Sequence, residues 1–390
     1  MSPFSSRVPA DLRPNRIARA LDERRALGAR ILDLTESNPT RAGLAHPPHV
    51  LAALGAPEGA RYAPEPFGLP EARRAAAREM ARRGTAIDPA RVILTASTSE
   101  AYSYLFKLLC DPGDDVLVPT PSYPLFDHLA RLDGVRPVPY AMEFHGTWSI
   151  DAGVIAREIT PRTRALFIVS PNNPTGSYLK RGELLAIAAL CRERSLALVG
   201  DEVFFDYPLE HAAEPRASVL EQAEALTFGL GGLSKSAALP QVKLGWMAVT
   251  GPSNLVDTAL ARLELIADTY LSVSTPVQLA AASLIDAGGR MRAAIDARLR
   301  ANLAALRRLA AACPSCGMLP VEGGWSAVVQ VPATRSEEDL TLQLLEQDGV
   351  LVHPGYFFDF TREAYVVVSL LAPPAEFEEG VALMLARAAS

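Results

Sequence analysis

Short apolar runs alternate with stretches of helical periodicity along most of the chain. The apolar runs lack the period-two alternation of a half-exposed strand, which predicts a parallel sheet covered by helices on both faces. The predicted strands are 31–34, 92–94, 115–118, 165–169, 196–199, 225–228 and 244–249. The helices predicted among them are 16–30, 70–83, 99–110, 123–132 and 179–194. An α/β fold is therefore expected.

The pattern changes after about Ala287. A long helix rich in arginine and alanine is predicted over 291–312. The elements predicted after it are strands at 326–331, 350–352 and 365–371 and helices at 337–346 and 376–388. This mixture predicts a smaller α+β layer at the carboxyl end of the chain.

The composition is that of an ordinary globular protein, with 49% hydrophobic and 21% charged residues among 390. A net charge of -6 gives no sign of a nucleic-acid partner. Cys313 and Cys316 have CxxC spacing, but no second pair or histidine cluster accompanies them, so neither a metal site nor a disulfide framework is expected. The chain begins without an apolar targeting segment and has no run of membrane-spanning length. We expect a soluble, cytoplasmic protein.

Lysine is rare in this chain, with four lysines against 34 arginines. Two of the four, Lys235 and Lys243, lie in the glycine-bounded segment 231–246. Arginine keeps its proton in proteins, whereas a desolvated lysine can lose it and form an imine. Lys235 is therefore a candidate Schiff-base residue. The same spacing also fits two solvated surface lysines.

Polar clusters follow three of the predicted strands, where ligands bind in open α/β sheets. The cluster at 95–99 runs into a helix, and its free amides and hydroxyls suit a phosphate, although an ordinary N-terminal cap fits the same residues. The cluster at 170–176 is rich in turn formers and also fits a plain loop. Asp201 ends a buried strand, where a carboxylate requires a cation or a hydrogen-bond donor.

In combination, these motifs resemble the class I/II aminotransferases, which are fold-type I pyridoxal-phosphate enzymes. Lys235 matches the lysine that holds the cofactor as an internal aldimine, and Asp201 the aspartate that pairs with the pyridinium nitrogen. Asn173, in Asn-Pro-Thr-Gly, matches the donor to the phenolic oxygen, and Tyr123, in Pro-Ser-Tyr-Pro, the aromatic residue stacked on the ring. The residues expected around the cofactor phosphate are Ser97, Thr98, Ser99, Ser234 and Lys243.

The resemblance also implies the architecture. It predicts a large cofactor-binding domain at 46–286 with a mostly parallel seven-stranded sheet. The discontinuous small α+β domain is expected at 1–45 and 287–390. Tyr62 matches a tyrosine that reaches the phosphate of the neighbouring subunit, which implies a homodimer with shared active sites.

The catalytic roles implied by the resemblance follow from simple chemistry. Breaking a bond at the substrate's α-carbon leaves an electron pair that the ring accepts only while its nitrogen is protonated, and Asp201 is expected to keep it so. Lys235 is then a free amine that moves a proton between the α-carbon and C4′ of the cofactor.

Four positions depart from the usual family pattern. Lys243 stands where an arginine commonly grips the phosphate, and Gly232 where a phosphate-binding serine is common. Phe204 replaces a tyrosine that donates to the phenolic oxygen. Val367 stands where we expect the arginine that clamps the substrate carboxylate.

Other residues are therefore candidates for the substrate side of the site. Ser37 and Asn38 lie in a turn that resembles the family's substrate-side loop. Arg41 directly follows this turn and is the first candidate to bind a carboxylate, and Arg362 is the second. For both arginines, a solvated surface position fits the sequence equally well.

The resemblance implies a transaminase that moves an amino group between an amino acid and a 2-oxo acid. A lyase, a decarboxylase or a carbon–carbon bond-forming enzyme on the same cofactor is the alternative, because the reaction type depends on which bond at the α-carbon breaks. A cofactor-sensing regulator is disfavoured, because only some 30 residues precede the first predicted strand.

Overall fold

The computed structural model describes residues 4–210 and 214–390. The helices are α1 (Arg16–Ala26), α2 (Pro70–Arg82), α3 (Thr98–Leu109), α4 (Leu125–Leu132), α5 (Ala152–Glu158), α6 (Arg181–Arg194), α7 (Leu233–Ser236), α8 (Ser253–Tyr270), α9 (Thr275–Ala311), α10 (Glu337–Gln343) and α11 (Pro374–Ala389). The strands are β1 (Leu32–Asp33), β2 (Val92–Thr95), β3 (Asp115–Thr120), β4 (Arg136–Ala141), β5 (Glu143–Phe144), β6 (Trp148–Ser149), β7 (Thr163–Val169), β8 (Ala197–Asp201), β9 (Thr227–Gly232), β10 (Gly245–Thr250), β11 (Gly317–Met318), β12 (Ser326–Gln330), β13 (Val350–Leu351), β14 (His353–Pro354) and β15 (Tyr365–Ser369).

A seven-stranded sheet forms the centre of the larger layer, with the order β2-β10-β9-β8-β7-β3-β4. β10 runs antiparallel to both of its neighbours, and the other pairs are parallel. The predicted α/β fold with a mostly parallel seven-stranded sheet is confirmed. β8 lies at the middle of this sheet, and Asp201 is therefore at its central carboxyl edge.

Both faces of this sheet are covered, as the continuous apolar strands require. On β7, Leu166 and Ile168 belong to a core shared with α2, α6 and the first half of α9. Their neighbour Phe167 points to the opposite face, into a core shared with α3, α4 and α8. The alternation of side chains along each strand thus supplies two cores from one apolar run.

A four-stranded antiparallel sheet, in the order β11-β12-β15-β14, forms the smaller layer. One face carries Ala327, Val329, Val366 and Val368 and packs in a core with α11 and the second half of α9. The other face is turned toward the larger layer, and Val367 on this face belongs to the first core of the large sheet.

Several elements differ from the sequence predictions, among them β4, α8 and α9. β4 was not predicted, because Pro137 and Pro139 lack an amide to donate; the strand is tolerated because it lies at the sheet edge. α8 was also not predicted. α9 begins at Thr275 rather than at 291, so that one helix of 37 residues contributes to both layers.

Asn302 provides a test of the contact between α9 and the segment after β15. Its Nδ2 atom donates to the carbonyl oxygens of Leu370 and Ala372, each at 2.8 Å, and its side chain is buried. We expect Asn302→Ala to lower the free energy of unfolding by roughly 2–3 kcal/mol, because two buried carbonyl groups lose their donor.

Urea denaturation of the two proteins measures this loss. The matched control is Asn254→Ala, at an exposed position on α8, which should change the free energy of unfolding by less than about 0.5 kcal/mol. Equal losses in the two variants would show that the Asn302 bridge does not stabilise the fold.

Candidate active site

A cavity of about 230 Å³ lies at the carboxyl edge of the large sheet, between the two layers. Its lining residues on the large-sheet side include Thr98, Ser99, Tyr102, Tyr123, Asn173, Asp201, Phe204 and Lys235. Its lining residues on the other side include Thr35, Ser37, Trp325, Ser326, His353, Phe358, Val367 and Ser369. The cavity therefore joins polar groups from the strand ends to a wall that mixes hydroxyls and an imidazole with Trp325, Phe358 and Val367.

Asp201 is held at the carboxyl end of β8 by two donors. The hydroxyl of Tyr102, on α3, donates to Oδ2 at 2.9 Å, and the amide of Val203 donates to Oδ1 at 3.2 Å. Burial raises the pKa of Asp201, while these hydrogen bonds and Lys235 act in the opposite direction. Both carboxylate oxygens are thus fixed in orientation beside the cavity.

Lys235 lies on α7, a single turn that follows β9 directly. Its Nζ atom is 4.8 Å from the ring centroid of Trp325 and 5.3 Å from that of Phe204. Burial lowers the pKa of Lys235 to about 8, and the nearby Asp201 carboxylate opposes this shift. The amine is therefore much closer to losing its proton at neutral pH than a solvated lysine, whose pKa is near 10.5.

The backbone around Lys235 is held by two long-range hydrogen bonds. The hydroxyl of Tyr207 donates to the carbonyl oxygen of Lys235 at 2.5 Å. Nη1 of Arg292, on α9, donates to the carbonyl oxygen of Ser236 at 2.8 Å. These bonds satisfy carbonyl groups at the end of a helix too short to be stable alone.

The lowered pKa of Lys235 predicts a pH dependence for its reaction with an acylating reagent. In the cofactor-free protein, we expect acetylation of Lys235 to increase with pH through a midpoint near 8, because only the neutral amine is nucleophilic. Brief labelling with acetic anhydride at a series of pH values, followed by peptide mass spectrometry, measures this midpoint. A midpoint near 10.5 would contradict the effect of burial. Asp201→Asn should lower the midpoint further, because it removes the charge that stabilises the cation.

The start of α3 contains both a helix cap and residues that line the cavity. Oγ of Ser97 accepts from the amide of Glu100 at 3.2 Å, so Ser97 caps the helix and does not line the cavity. Thr98 and Ser99 do line it, and they occupy the first turn, where amides have no carbonyl partner within the helix. The helix cap and the cavity lining therefore involve different residues of this cluster.

The other predicted phosphate residues lie outside the cavity lining. Lys243 is exposed and has a left-handed backbone conformation with φ +60°. Ser234 is half-buried and also does not line the cavity. At Gly232, an added Cβ would lie 3.1 Å from Cα of Gly245 and from the carbonyl oxygen of Leu244, so a side chain requires a small local shift.

Asn173 and Tyr123 both line the cavity. Oδ1 of Asn173 accepts from the hydroxyl of Ser326 at 3.4 Å, which links the two layers. Tyr123 precedes α4 instead of lying within the helix, which starts at Leu125, and 49% of its surface is exposed. Its ring is therefore free to contact a bound ligand.

The predicted substrate-side residues are not brought together. Ser37 lines the cavity, whereas Oδ1 of Asn38 accepts from the amide and hydroxyl of Thr40. Arg41 is 64% exposed and forms an ion pair with Glu36, with Nε 2.9 Å from Oε2. Neither Asn38 nor Arg41 is among the cavity-lining residues.

The second predicted arginine, Arg362, is exposed and also lies outside the lining. Val367 does line the cavity and is buried, so the wall is apolar at the position where a guanidinium was expected. Tyr62 lies on a separate surface and is 75% exposed.

Two features are absent from residues 4–210 and 214–390. These residues contain no group of three or more His, Cys, Asp or Glu side chains arranged to hold a metal ion. None of their helices combines the length and the apolar character needed to cross a membrane.

The chain belongs to the aminotransferase class I and II family, whose profile matches residues 29–381. This family and its fold depend on pyridoxal phosphate. The resemblance inferred from the motifs is therefore confirmed.

Curated relatives and solved structures agree with this assignment. The glutamate-pyruvate aminotransferase AlaA of Escherichia coli is 30% identical over 258 residues, which cover 64% of this chain and 62% of the relative. The match thus spans less than two thirds of that relative's length. The arginine–pyruvate transaminase AruH of Pseudomonas aeruginosa is 30% identical over 300 residues, which cover 76% of this chain and 75% of the relative. A mutant aspartate aminotransferase structure from Thermus thermophilus is 26% identical, with a TM-score of 0.86 and coverage of 99% and 100% of the two chains.

Proposed function

We propose that this chain is a pyridoxal-phosphate-dependent transaminase that moves an amino group between an amino acid and a 2-oxo acid. The observation that carries the proposal is the convergence of the Asp201 carboxylate and the Lys235 amine on one cavity beside the start of α3. The named relatives support the same reaction class, because each of the two described above is an aminotransferase.

The chemistry of the cavity fits the cofactor. An amine whose pKa is lowered to about 8 suits covalent attachment to an aldehyde, and a fixed carboxylate suits a protonated ring nitrogen. The first turn of a twelve-residue helix, with the hydroxyls of Thr98 and Ser99, suits a phosphate. Lys235, Asp201, Thr98 and Ser99 are therefore the residues that we propose to hold the cofactor.

We propose supporting roles for the remaining predicted residues. Asn173 would donate to the phenolic oxygen, and the ring of Tyr123 would stack on the cofactor. Ser97 and Ser234 would support the phosphate through the backbone segments that carry them. Lys243 would contribute a positive charge from outside the cavity, which is a weaker contact than a bidentate arginine.

When bound, pyridoxal phosphate supplies a ring that accepts the electron pair left when a bond at the substrate's α-carbon breaks. Asp201 holds a proton on the ring nitrogen, and the hydroxyl of Tyr102 keeps the carboxylate in place. Lys235 would serve as general base and acid, moving a proton between the substrate's α-carbon and C4′ of the cofactor. The rings of Phe204 and Trp325 beside Nζ exclude water and favour the neutral amine.

The assembly and organisation that we propose follow the family. A homodimer would cover Tyr62 and bring it to the phosphate of the partner subunit. Residues 46–286 would form the cofactor-binding domain, and 1–45 and 287–390 the small domain. The packing of α9 supports this division, because its side chains up to Ile285 pack in one core and those from Met291 in another. We further propose a cytoplasmic, biosynthetic enzyme.

Product analysis tests the proposed reaction. The protein loaded with pyridoxal phosphate is mixed with single amino acids, beginning with alanine, glutamate and arginine, and the visible absorbance of the bound cofactor is followed. One equivalent of 2-oxo acid per site, with recovery of the spectrum on adding pyruvate, supports transamination. Release of ammonia, sulfide or carbon dioxide without a 2-oxo acid acceptor would contradict it and favour a lyase or decarboxylase.

A further inference from the structure

The wall of the cavity opposite Asp201 is one face of the small sheet. In the antiparallel register, Ser326 pairs with Ser369, and Val367 pairs with both Val328 and His353. Residues directly opposite one another in a sheet point to the same side, and so do residues two apart along a strand. This face therefore presents two hydroxyls, two valines and one imidazole toward the larger layer.

Positive charge is scarce around this cavity. Within the described part of the chain, Lys235 and His353 are the only basic side chains among the lining residues. We propose Lys235 for the cofactor, and Arg41 and Arg362 lie outside the lining. His353 is therefore the one remaining basic group that a negatively charged substrate can meet inside the cavity.

The imidazole of His353 is held in place but retains its hydrogen-bonding capacity. Its ring packs edge-on against Phe358, with centroids 5.7 Å apart, and lies 6.0 Å from the ring of Phe357. No other group in residues 4–210 or 214–390 forms a hydrogen bond with either ring nitrogen. The hydroxyl of Ser369, by contrast, donates to the carbonyl oxygen of Glu36 at 2.6 Å and is already used.

We propose that His353 binds the carboxylate of the substrate, in a cavity whose large apolar lining residues select substrates with an apolar side chain. This inference rests on the proposed function. Val367, the neighbour of His353 in the sheet, contributes no charge, so the imidazole takes the role of the missing cation. Trp325, Phe358 and Leu125 line the same cavity and suit an aromatic or branched side chain. A second carboxylate on the substrate would have no further basic side chain to pair with there.

The charges around His353 determine how this binding depends on pH. Burial lowers the pKa of His353, and Asp33 on β1 opposes that shift. Val367, on β15, carries no charge, and neither does Phe358, in the turn that follows β14. The carboxylate of Glu337, on α10, accepts hydrogen bonds from the backbone amides of Tyr356 and Tyr365.

Across the cavity, Lys235 and Asp201 carry opposite charges that partly cancel. A bound carboxylate raises the pKa of an imidazole beside it. Its affinity should therefore be highest when His353 is protonated and fall as the pH rises above the pKa of His353, which burial lowers.

Calorimetric titration of the pyridoxal-phosphate-loaded protein tests the proposal with two unreactive probes. 3-Phenylpropionate has an apolar ring and a carboxylate, and 3-phenylpropanamide is its neutral counterpart. His353→Ala should raise the Kd of the carboxylate about 10- to 100-fold, because it removes a charge-assisted hydrogen bond, and leave that of the amide within about twofold. His353→Gln keeps a donor of similar size but cannot be protonated, so its Kd for the carboxylate should lose the pH dependence.

The control variant is Arg362→Ala, which removes an exposed cation and should leave both Kd values unchanged. An unchanged Kd for the carboxylate in both His353 variants would overturn the proposal. Equal weakening of the carboxylate and the amide would also overturn it, because that result indicates packing alone. The probes bind without reacting, so these outcomes are separate from the test of transamination.

Discussion

Lys235→Ala is expected to reduce turnover at least about 1,000-fold while leaving the protein folded. The substitution removes the amine that we propose as general base and acid, a role typically worth 10²–10⁴ in rate, and it also removes the covalent attachment of the cofactor. Folding should survive, because the Nζ atom lies beside the rings of Phe204 and Trp325 and forms no hydrogen bond within the described residues, and the hydrogen bond from Tyr207 reaches the backbone carbonyl. Steady-state kinetics and thermal unfolding of the purified variant measure the two effects.

Lys235→Arg separates chemistry from charge. Arginine keeps the positive charge and much of the length but does not lose its proton, so this variant should be as inactive as Lys235→Ala. Lys107→Ala is the control. Lys107 lies in the last turn of α3, forms an ion pair with Asp133 and does not line the cavity. Retention of more than about a tenth of the activity in either Lys235 variant would contradict the role assigned to this residue.

Asp201→Asn is the second substitution with a large expected effect. Asparagine keeps an oxygen to accept from Tyr102 but removes the charge that holds a proton on the ring nitrogen, so we expect kcat to fall roughly 10²- to 10³-fold. Asn173→Ala removes one neutral hydrogen bond, typically worth about 0.5–1.5 kcal/mol, and should cost no more than about tenfold. Equal losses in kcat for the two variants would mean that the charge of Asp201 is not what matters.

Three residues of the cavity lining could be predicted, because residues with suitable chemistry follow the predicted strands in the sequence. Asp201 and Asn173 directly follow apolar runs, and Lys235 stands out in a chain with four lysines. These three residues do line one cavity. The end of an apolar run marks the end of a strand. Because parallel strands bring their carboxyl ends to one edge of the sheet, residues that follow such runs are expected to lie together.

Residues that reach the cavity through long-range packing were not predicted. Tyr102 contacts Asp201 across 99 positions of sequence, and nothing in the helix pattern of α3 distinguishes it from the other aromatic residues there. Trp325 and His353 belong to the small sheet, whose position against the large one is a tertiary property. An isolated histidine beside an apolar strand gives no local sign that it faces a cavity.

Side-chain partners also limited the predictions for charged residues. The sequence placed Arg41 beside the substrate-side turn, but it could not show that Glu36, five positions earlier, pairs with it. Position along the chain likewise does not reveal that Lys243 is exposed and outside the lining. Such outcomes depend on side-chain direction, which periodicity alone does not determine.

Borohydride reduction followed by peptide mapping tests the central claim most directly. The protein is loaded with pyridoxal phosphate, reduced and digested, and the modified peptide is identified by mass spectrometry. We predict one equivalent of the reduced cofactor on Lys235 and none on the other three lysines. A modification found on Lys243, Lys107 or Lys180, with Lys235 unmodified, would contradict the account.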